Sequence, residues 1–396
     1  MSLSNGRPML AIPGPSVMPD RVLSAMNRPM PNIYDGELLE LSDSLLEDLP
    51  AIARTSGRPF ITVSNGHGAW EMAITNTLSR GDKVLVLESG RFAIGWGEMA
   101  QMAGVEMEIL PADSDQVPID PAAVEERLRA DTGHEINAIL CVQVDTANSV
   151  RNDIAAIGRA IQASGHPALF MVDCIASMGC ERYEMDEWGV DVTVAASQKG
   201  MMVPPGLGLV WANDRALAAH QSADLRTGYW DWTARMDHTA HYLRYAGTPP
   251  VQFIFGLREA LDMIADEGLE AIWHRHETLA GAVREAVRAW GTPNGFRLNI
   301  TDPTAHANST TTVLTGSIDA DRLRQVCSTE AGLTLGLGIG EFGGRAFRIG
   351  HMGHLNPPMI LGTLGTIEAA LAAMGAPTRG SGVAAAAAAI ATAMKG

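Results

Sequence analysis

Lysine is almost absent from this sequence. Only three of its 29 basic side chains are lysines, at Lys83, Lys199 and Lys395, and the rest are arginines. Lys83 lies in a Gly-Asp-Lys turn and Lys395 is one residue from the end of the sequence, whereas Lys199 follows an apolar run in VAASQKGMMVPPG. A strand-end lysine that extends its charge to solvent is the ordinary explanation. Because arginine is this chain's default cation, the position of Lys199 instead indicates a chemical role.

Cysteine is also scarce, and its four copies show neither a CxxC pair nor a Cys/His spacing typical of a metal site. Cys141 and Cys174 lie in or beside apolar runs, as buried free thiols do. His274 and His276 show no ligand spacing either. We therefore expect no metal and a reducing, cytoplasmic location.

Positive charge and long apolar runs are limited too. The formal net charge is −16, which disfavours nucleic acid or an anionic membrane as a partner. The longest apolar run, 383–391, is mostly alanine, is far too short to span a bilayer and predicts a terminal helix. The first residues, MSLSNGRPMLAIPGPS, lack the features of a signal peptide.

The length of 396 residues favours two domains. Alternating strands and helices over 59–211 predict an α/β domain with a mostly parallel sheet, with ligands beyond the carboxyl ends of its strands. We place this large domain at 1–266, including the N-terminal segment, and a smaller α+β domain at 267–396. Strands are expected at 59–63, 83–87, 105–110, 138–144, 168–172, 190–195, 207–211, 309–315 and 345–349, and helices at 69–78, 95–102, 121–129, 153–163, 251–267, 269–290, 320–329 and 358–374.

Three further positions carry candidate chemistry. In SNGHGAWEMA (64–73) a glycine-rich turn joins a strand to a helix start, where free backbone N–H groups can hold a phosphate. In ALFMVDCIAS a carboxylate, Asp173, ends a predicted central strand, and a half-buried carboxylate needs a partner. In GRAFRIGHMG Arg348 lies within an apolar strand and suits bidentate capture of a carboxylate. Each position also has a purely structural explanation. The glycine-rich turn could simply begin a helix, Asp173 could cap the next segment, and Arg348 could form an ion pair between domains.

A phosphate cradle, a strand-end aspartate and a lysine in an apolar pocket are the parts that a pyridoxal phosphate enzyme requires. An amine at such a position has a lowered pKa and is nucleophilic, as Schiff-base formation demands. A GxGxxG match at 338–343 precedes a strand instead of opening a helix, so its reading as a dinucleotide-binding motif fails on context. A nicotinamide-dependent dehydrogenase stays an alternative, which failure to bind pyridoxal phosphate would test.

The sequence resembles the class V aminotransferases of fold type I, and within them the alanine/serine–glyoxylate aminotransferase group. The resemblance runs from IPGPSVMP (12–19) to FRIGHMG and is most specific in MDEWGVDVTVAASQKG (185–200) with the following PPGLGLV. It implies pyridoxal 5′-phosphate as cofactor, bound covalently by Lys199, with Asp173 at its pyridine nitrogen and Arg348 at the substrate carboxylate. The resemblance assigns the remaining cofactor contacts to Phe92 on the ring, Thr146 near the ring's 3-oxygen, and Asn65, Gly66, His67 and Gln198 around the phosphate.

Tyr245 and Thr248, in YAGTPPV, match a Tyr-x-x-Thr pair that in this family reaches the phosphate of the neighbouring subunit. The resemblance therefore implies a homodimer. Its reaction would be transfer of an amino group from serine, aspartate or alanine to glyoxylate, forming glycine. The alternatives are a lyase or cysteine desulfurase on the same fold, a pyridoxamine–pyruvate transaminase, and a non-catalytic relative. A pyridoxamine–pyruvate transaminase would be expected to carry a further arginine near Ile339, and this chain has none there.

The donor is left open by the sequence. The phosphate loop SNGHGAWE has His67, as in the alanine–glyoxylate type, and the aromatic stretch GYWDWTARMDH (228–238) is a candidate wall of the donor pocket. A second cationic contact would favour a dicarboxylic donor, and Arg91, Arg226 and Arg244 are the candidates.

Overall fold

The computed structural model of the chain describes residues 2–114, 116–237 and 239–395. Its β-strands, in chain order, are β1 Met9–Ala11, β2 Arg58–Val63, β3 Lys83–Glu88, β4 Glu106–Pro111, β5 Ile136–Val142, β6 Val144–Asp145, β7 Val150–Arg151, β8 Leu169–Asp173, β9 Val192–Ala196, β10 Leu207–Ala212, β11 Arg297–Leu298, β12 Thr310–Leu314, β13 Leu333–Leu337 and β14 Ala346–Gly350. Its α-helices are α1 Asp20–Met26, α2 Glu37–Ala53, α3 Gly66–Thr77, α4 Arg91–Met102, α5 Pro121–Ala130, α6 Ile154–Ser164, α7 Asp214–Ser222, α8 Trp232–Met236, α9 Val251–Glu267, α10 Leu269–Trp290, α11 Ala320–Ala331, α12 Pro357–Ala373 and α13 Gly382–Ala393.

A seven-stranded sheet forms the centre of the molecule, in the order β2-β10-β9-β8-β5-β3-β4. The strands from β9 to β4 run parallel to one another, and β10 is antiparallel to both of its neighbours. The expected α/β fold with a mostly parallel sheet is confirmed. Because the parallel strands share one carboxyl edge, the loops that follow β5, β8 and β9 open on the same side.

Both faces of this sheet are covered, which explains why its central strands are continuously apolar. Alternate residues of β3 face opposite cores: Leu85 and Leu87 join the layer with α2, α6 and α9, while Val84 and Val86 join the layer with α3 and α4. Strand β8 divides in the same way. Successive residues of each central strand therefore pack into opposite cores, one on each face of the sheet.

A second sheet of five strands, in the order β1-β13-β14-β12-β11, belongs to the C-terminal part of the chain. It is antiparallel except for the parallel pair of β1 with β13. Helix α10 packs on the strands β11 and β12 of this sheet, and α13 packs on α10. Strand β1 therefore pairs within the C-terminal sheet, although the sequence predicts that the N-terminal segment belongs to the large domain. The boundary between the two domains stays a prediction.

Most element predictions are confirmed, and the differences have local causes. Helices α9 and α10 begin and end where expected. Helix α3 begins at Gly66 instead of 69, because Asn65 caps it, and α4 begins at Arg91 instead of 95. The strand expected at 138–144 is interrupted at Gln143, after which β6 pairs with β7. Strands β1 and β13 were not predicted.

Candidate active site

A cavity of about 120 Å³ lies at the carboxyl edge of the central sheet. Residues from α3, from α4 and from the loops after β5, β8 and β9 surround it. Its lining residues are Gly66, His67, Trp70, Phe92, Val144, Thr146, Asp173, Ile175, Ala176, Gln198 and Lys199. Seven sequence-predicted positions thereby meet in one cavity, from segments more than a hundred residues apart.

Lys199 lies three residues beyond β9, in the turn that leads to β10. Its Nζ donates to the carbonyl oxygen of Pro13, and Ser16 Oγ donates to the Lys199 carbonyl at 2.7 Å. Burial, together with the positive charge of Arg348 and against the opposing effect of Asp173, lowers the pKa of Lys199 to about 8. A pKa lowered this far towards neutrality makes Lys199 a better nucleophile and base than an ordinary lysine.

Asp173 is the last residue of β8 and is 3% exposed. Its Oδ1 accepts from the backbone N–H of Ile175 at 2.6 Å and its Oδ2 from Trp70 Nε1 at 2.9 Å. Burial raises the pKa of Asp173 to about 7, and the two hydrogen bonds oppose that rise. A cationic ring N–H placed in the cavity would stabilise the ionised form, so this carboxylate fits the pyridine nitrogen of pyridoxal phosphate.

The start of α3 fits the phosphate end of that cofactor. Asn65 caps the helix by accepting from the His67 backbone N–H at 3.0 Å, and its side chain does not line the cavity. A Cβ on Gly66 would lie 2.4 Å from Ile175 Cδ1, so a larger residue at this position would force the Ile175 side chain to move. Gln198 Oε1 is buried and has no hydrogen-bond partner among the described residues, as expected for an amide that contacts a bound polar group.

Phe92 and Thr146 complete the walls. Phe92 is half-buried, and its backbone N–H donates to Asp145 Oδ2 at 2.7 Å. The Thr146 carbonyl accepts from Arg348 Nη1 at 2.8 Å, which links this wall to the C-terminal sheet.

Arg348 is held on β14, where it pairs with Thr312 and Gly336 on the flanking strands. Its Nε donates to the Leu337 carbonyl at 2.7 Å, and burial lowers its pKa to about 10. No hydrogen bond of Nη2 is found within the part of the chain that the structure describes. Two backbone carbonyls therefore fix the guanidinium without neutralising it, which suits it to bind a carboxylate.

Tyr245 and Thr248 do not reach this cavity in their own chain. The Tyr245 hydroxyl donates to Ser42 Oγ at 2.9 Å, and Thr248 is exposed. Their predicted role at the phosphate of a second subunit stays a prediction.

The three arginines that are candidate contacts for the donor differ in their surroundings. Arg91 lines a larger cavity, of about 680 Å³, that shares His67, Trp70 and Phe92 with the first. Arg226 Nε donates to the Ala223 carbonyl, and Arg244 pairs with Asp43 far from Lys199. In the aromatic stretch, Trp232 stacks on Phe60 within the core, whereas the last residue, His238, lies outside the described residues.

Sequence reasoning missed Trp70 and Pro13. Trp70 follows Gly66 by one helical turn, so moving the helix start from 69 to 66 would have placed both on the cavity face. The contact of Pro13 with Lys199 has no local signal, since it depends on the N-terminal segment crossing the molecule.

The sequence also predicts that a metal site and a membrane-spanning helix are absent. Within residues 2–114, 116–237 and 239–395, no group of three or more His, Cys, Asp or Glu side chains could hold a metal ion. Over the same residues, no helix is both long and apolar enough to cross a bilayer. The GxGxxG match forms a short 3₁₀ turn, Gly340–Phe342, before β14 and opens no α-helix.

Comparison with known proteins agrees with this geometry. Residues 55–339 match the family model "Aminotransferase class-V". The chain is 38% identical to serine–glyoxylate aminotransferase of Methylorubrum extorquens, over 96% of this chain and 95% of that protein. It is also 38% identical to L-aspartate–glyoxylate aminotransferase of Paracoccus denitrificans, over 95% and 94%. Pyridoxamine–pyruvate aminotransferase from Mesorhizobium loti has a similar structure, with TM-score 0.90, 28% identity and 99% and 100% of the two chains covered. The chain therefore belongs to the class V aminotransferases of fold type I, and it is an enzyme whose cofactor is pyridoxal 5′-phosphate.

Proposed function

We propose that this aminotransferase transfers an amino group from a small amino acid to glyoxylate and so forms glycine. The observation that carries the proposal is the meeting of Lys199, Asp173 and the start of α3 in one cavity, with Arg348 close enough to Lys199 to lower its pKa. The named relatives that act on glyoxylate, with 37–38% identity over nearly the whole chain, support the acceptor.

Each residue has a defined task in this proposal. When bound, pyridoxal phosphate supplies an electron sink that makes the substrate Cα–H acidic. Lys199 attaches the cofactor and then moves the proton at Cα, for which its lowered pKa suits it. Asp173 would keep the ring nitrogen protonated, Phe92 would contact the ring, and Arg348 would orient the substrate through its α-carboxylate.

The charges around the outer cavity favour a donor without a second carboxylate. Arg91 shares that cavity with Glu88, Glu98 and Glu341. Burial raises the pKa of Glu88, and the negative charge of Glu341 raises it further, so these two carboxylates lie close to each other. An aspartate side chain would enter a region in which carboxylates outnumber the one arginine. We therefore propose serine or alanine, ahead of aspartate, as the donor.

The test is an absorbance titration of the purified enzyme with serine, alanine and aspartate in turn. A productive donor should remove the yellow band of the bound cofactor, and glyoxylate should restore it while glycine appears. Lys199→Ala should abolish turnover. A band that no donor removes, or an active Lys199→Ala protein, contradicts the proposal.

The donor ranking has its own test. Glu341→Gln should raise kcat/KM for aspartate relative to serine, because it removes a negative charge from the outer cavity. Glu330→Gln, on the exposed end of α11, is the matched control and should leave the ratio unchanged. If wild-type enzyme already prefers aspartate, the charge argument is wrong while the transaminase assignment stands.

Two alternatives make different demands. A desulfurase requires a reactive thiol, but all four cysteines are buried, and burial raises the pKa of Cys180 to about 12 and that of Cys327 to about 11. A pyridoxamine–pyruvate transaminase would remove the amino group of free pyridoxamine with pyruvate as acceptor. Ile339, at the start of the 3₁₀ turn before β14, supplies no second cation for that reaction. A desulfurase would take sulfur from cysteine and leave alanine, and a pyridoxamine–pyruvate transaminase would form pyridoxal and alanine, so product analysis with each substrate tests both activities.

A further inference from the structure

Trp70 makes a contact with the cofactor site that the proposed function does not use. Its indole is 1% exposed and lies in the wall of the cavity. Nε1 donates to Asp173 Oδ2 at 2.9 Å, across 103 positions of sequence. The ring is also held from two sides, since Trp96 stacks on it at 6.0 Å and His67 lies at 4.6 Å. The direction of its N–H is therefore fixed by packing.

We propose that Trp70 is a positioning residue whose indole N–H orients Asp173 and keeps it ionised for the pyridine nitrogen of the cofactor. The inference rests on the role proposed above for Asp173.

The geometry supports this assignment. Ile175 N–H and Trp70 Nε1–H bind one oxygen each, so the plane of the carboxylate is set by two donors before any ligand enters. Each oxygen retains a further lone pair for a donor in the cavity that Asp173 lines. A neutral carboxylic acid would bind a protonated ring nitrogen weakly, and burial alone would drive Asp173 towards that neutral form. The indole N–H opposes this effect.

Trp96 provides an unusually close control. It is fully buried and stacks on Trp70 with an interplanar angle of 15°. Its own Nε1 has no hydrogen-bond partner among the described residues. Replacing either tryptophan by phenylalanine removes the same atoms from the same stack, but only Trp70→Phe removes a donor from Asp173.

The experiment measures binding of two ligands to cofactor-free protein. Pyridoxal 5′-phosphate is compared with its 1-deaza analogue, in which carbon replaces the ring nitrogen, by calorimetry. The ratio of the two affinities isolates the contact at the ring nitrogen, because phosphate and Lys199 contacts are common to both. Loss of one charge-assisted hydrogen bond should lower the wild-type ratio about tenfold in Trp70→Phe. Trp96→Phe should keep the wild-type ratio.

Three outcomes are informative. A lowered ratio in Trp70→Phe alone supports the inference. An unchanged ratio in Trp70→Phe, with both affinities reduced alike, overturns it and leaves Trp70 a packing residue. Asp173→Asn is measured in parallel. If Asp173→Asn keeps the wild-type affinity ratio, the proposed role of Asp173 is wrong. If the ratio falls in Asp173→Asn but not in Trp70→Phe, only the inference about Trp70 is wrong.

A second variant guards against misfolding. Incorporation of benzothienylalanine at position 70 keeps the two-ring shape and replaces N–H by sulfur. It should lower the ratio as Trp70→Phe does. If the isostere binds both ligands as wild type does, the N–H has no role and the inference fails.

Discussion

At the scale of single residues, the chemistry of this enzyme is concentrated in groups that are unfavourable to bury. Lys199, Asp173 and Arg348 all have pKa values shifted towards the neutral form, and burial is the largest cause in each case. Such groups oppose folding until a ligand of complementary charge arrives. The cofactor ring nitrogen would be that ligand for Asp173 and the substrate carboxylate for Arg348, while Lys199 would attach the cofactor covalently, so binding and stability are linked.

Lys199→Met is expected to stabilise the cofactor-free protein at neutral pH. The pKa of Lys199 falls from 10.5 to about 8 on folding, so below pH 8 both states are protonated and the folded state carries the full cost of a buried charge. Between about pH 8 and 10.5 the unfolded state binds more protons, and the unfolding free energy of wild type rises with pH. The variant lacks this cost and should be about 3 kcal/mol more stable at pH 7, with most of the gain lost by pH 10.

Denaturant unfolding at the two pH values checks this expectation. Lys83→Met is the control, because Lys83 is paired with Glu135 near the surface and the pKa of Lys83 is raised. A Lys199→Met protein that is less stable than wild type at pH 7 would show that the amine is not buried as described.

At the scale of elements, the start of α3 combines a structural and a functional task. Asn65→Asp should preserve the cap, since aspartate accepts the His67 N–H as well as asparagine does. It also places a negative charge beside the expected phosphate. The unfolding midpoint should therefore change little, while affinity for pyridoxal phosphate falls roughly tenfold. Asn356→Asp, the corresponding exposed cap of α12, should leave cofactor affinity unchanged. If Asn65→Asp and Asn356→Asp bind pyridoxal phosphate equally well, the phosphate does not bind at the start of α3.

The elements also show which parts of the structure the sequence could predict. Continuous apolar runs such as LFMVD in β8 reveal buried parallel strands, and the strand-end position of Asp173 follows directly. The short strand β1 has no such signal, because three residues, Met9–Ala11, become a strand only through pairing with β13. The same limit applied at the site: Lys199 could be singled out by composition, whereas its contacts with Pro13 and Arg348 depend on segments brought together by folding.

At the scale of the whole molecule, the N-terminal segment links the two sheets at the active site. Strand β1 completes the C-terminal sheet, and a few residues later Pro13 and Ser16 contact Lys199. Gly350, at the end of β14, permits the crossing, since a Cβ there would lie 2.0 Å from the Ile12 carbonyl oxygen.

Gly350→Ala should therefore loosen this link. Backbone faces backbone at the contact, so the segment must move, and we expect a loss of about 2 kcal/mol in unfolding free energy. Faster proteolytic cleavage within residues 2–16 should accompany it. Gly362→Ala in α12, where a Cβ meets nothing within 4 Å, should be neutral or stabilising. If Gly350→Ala resists proteolysis as well as wild type does, the proposed link is wrong.

The expected dimer makes the broadest prediction, because Tyr245 and Thr248 lie away from the cavity of their own chain. If Thr248 serves the phosphate of a partner, two inactive variants should complement each other. Lys199→Ala has no amine, and Thr248→Glu places a negative charge at the partner's phosphate. In a mixed dimer, the site with an intact Lys199 receives an intact Thr248 from the other subunit. Random exchange of subunits should therefore restore about a quarter of wild-type activity.

If Thr248 instead acts within its own chain, that site keeps the glutamate and mixing restores nothing. Size-exclusion chromatography of both variants confirms that each still forms the same assembly, so that absence of recovery reflects the position of Thr248 and not failed association.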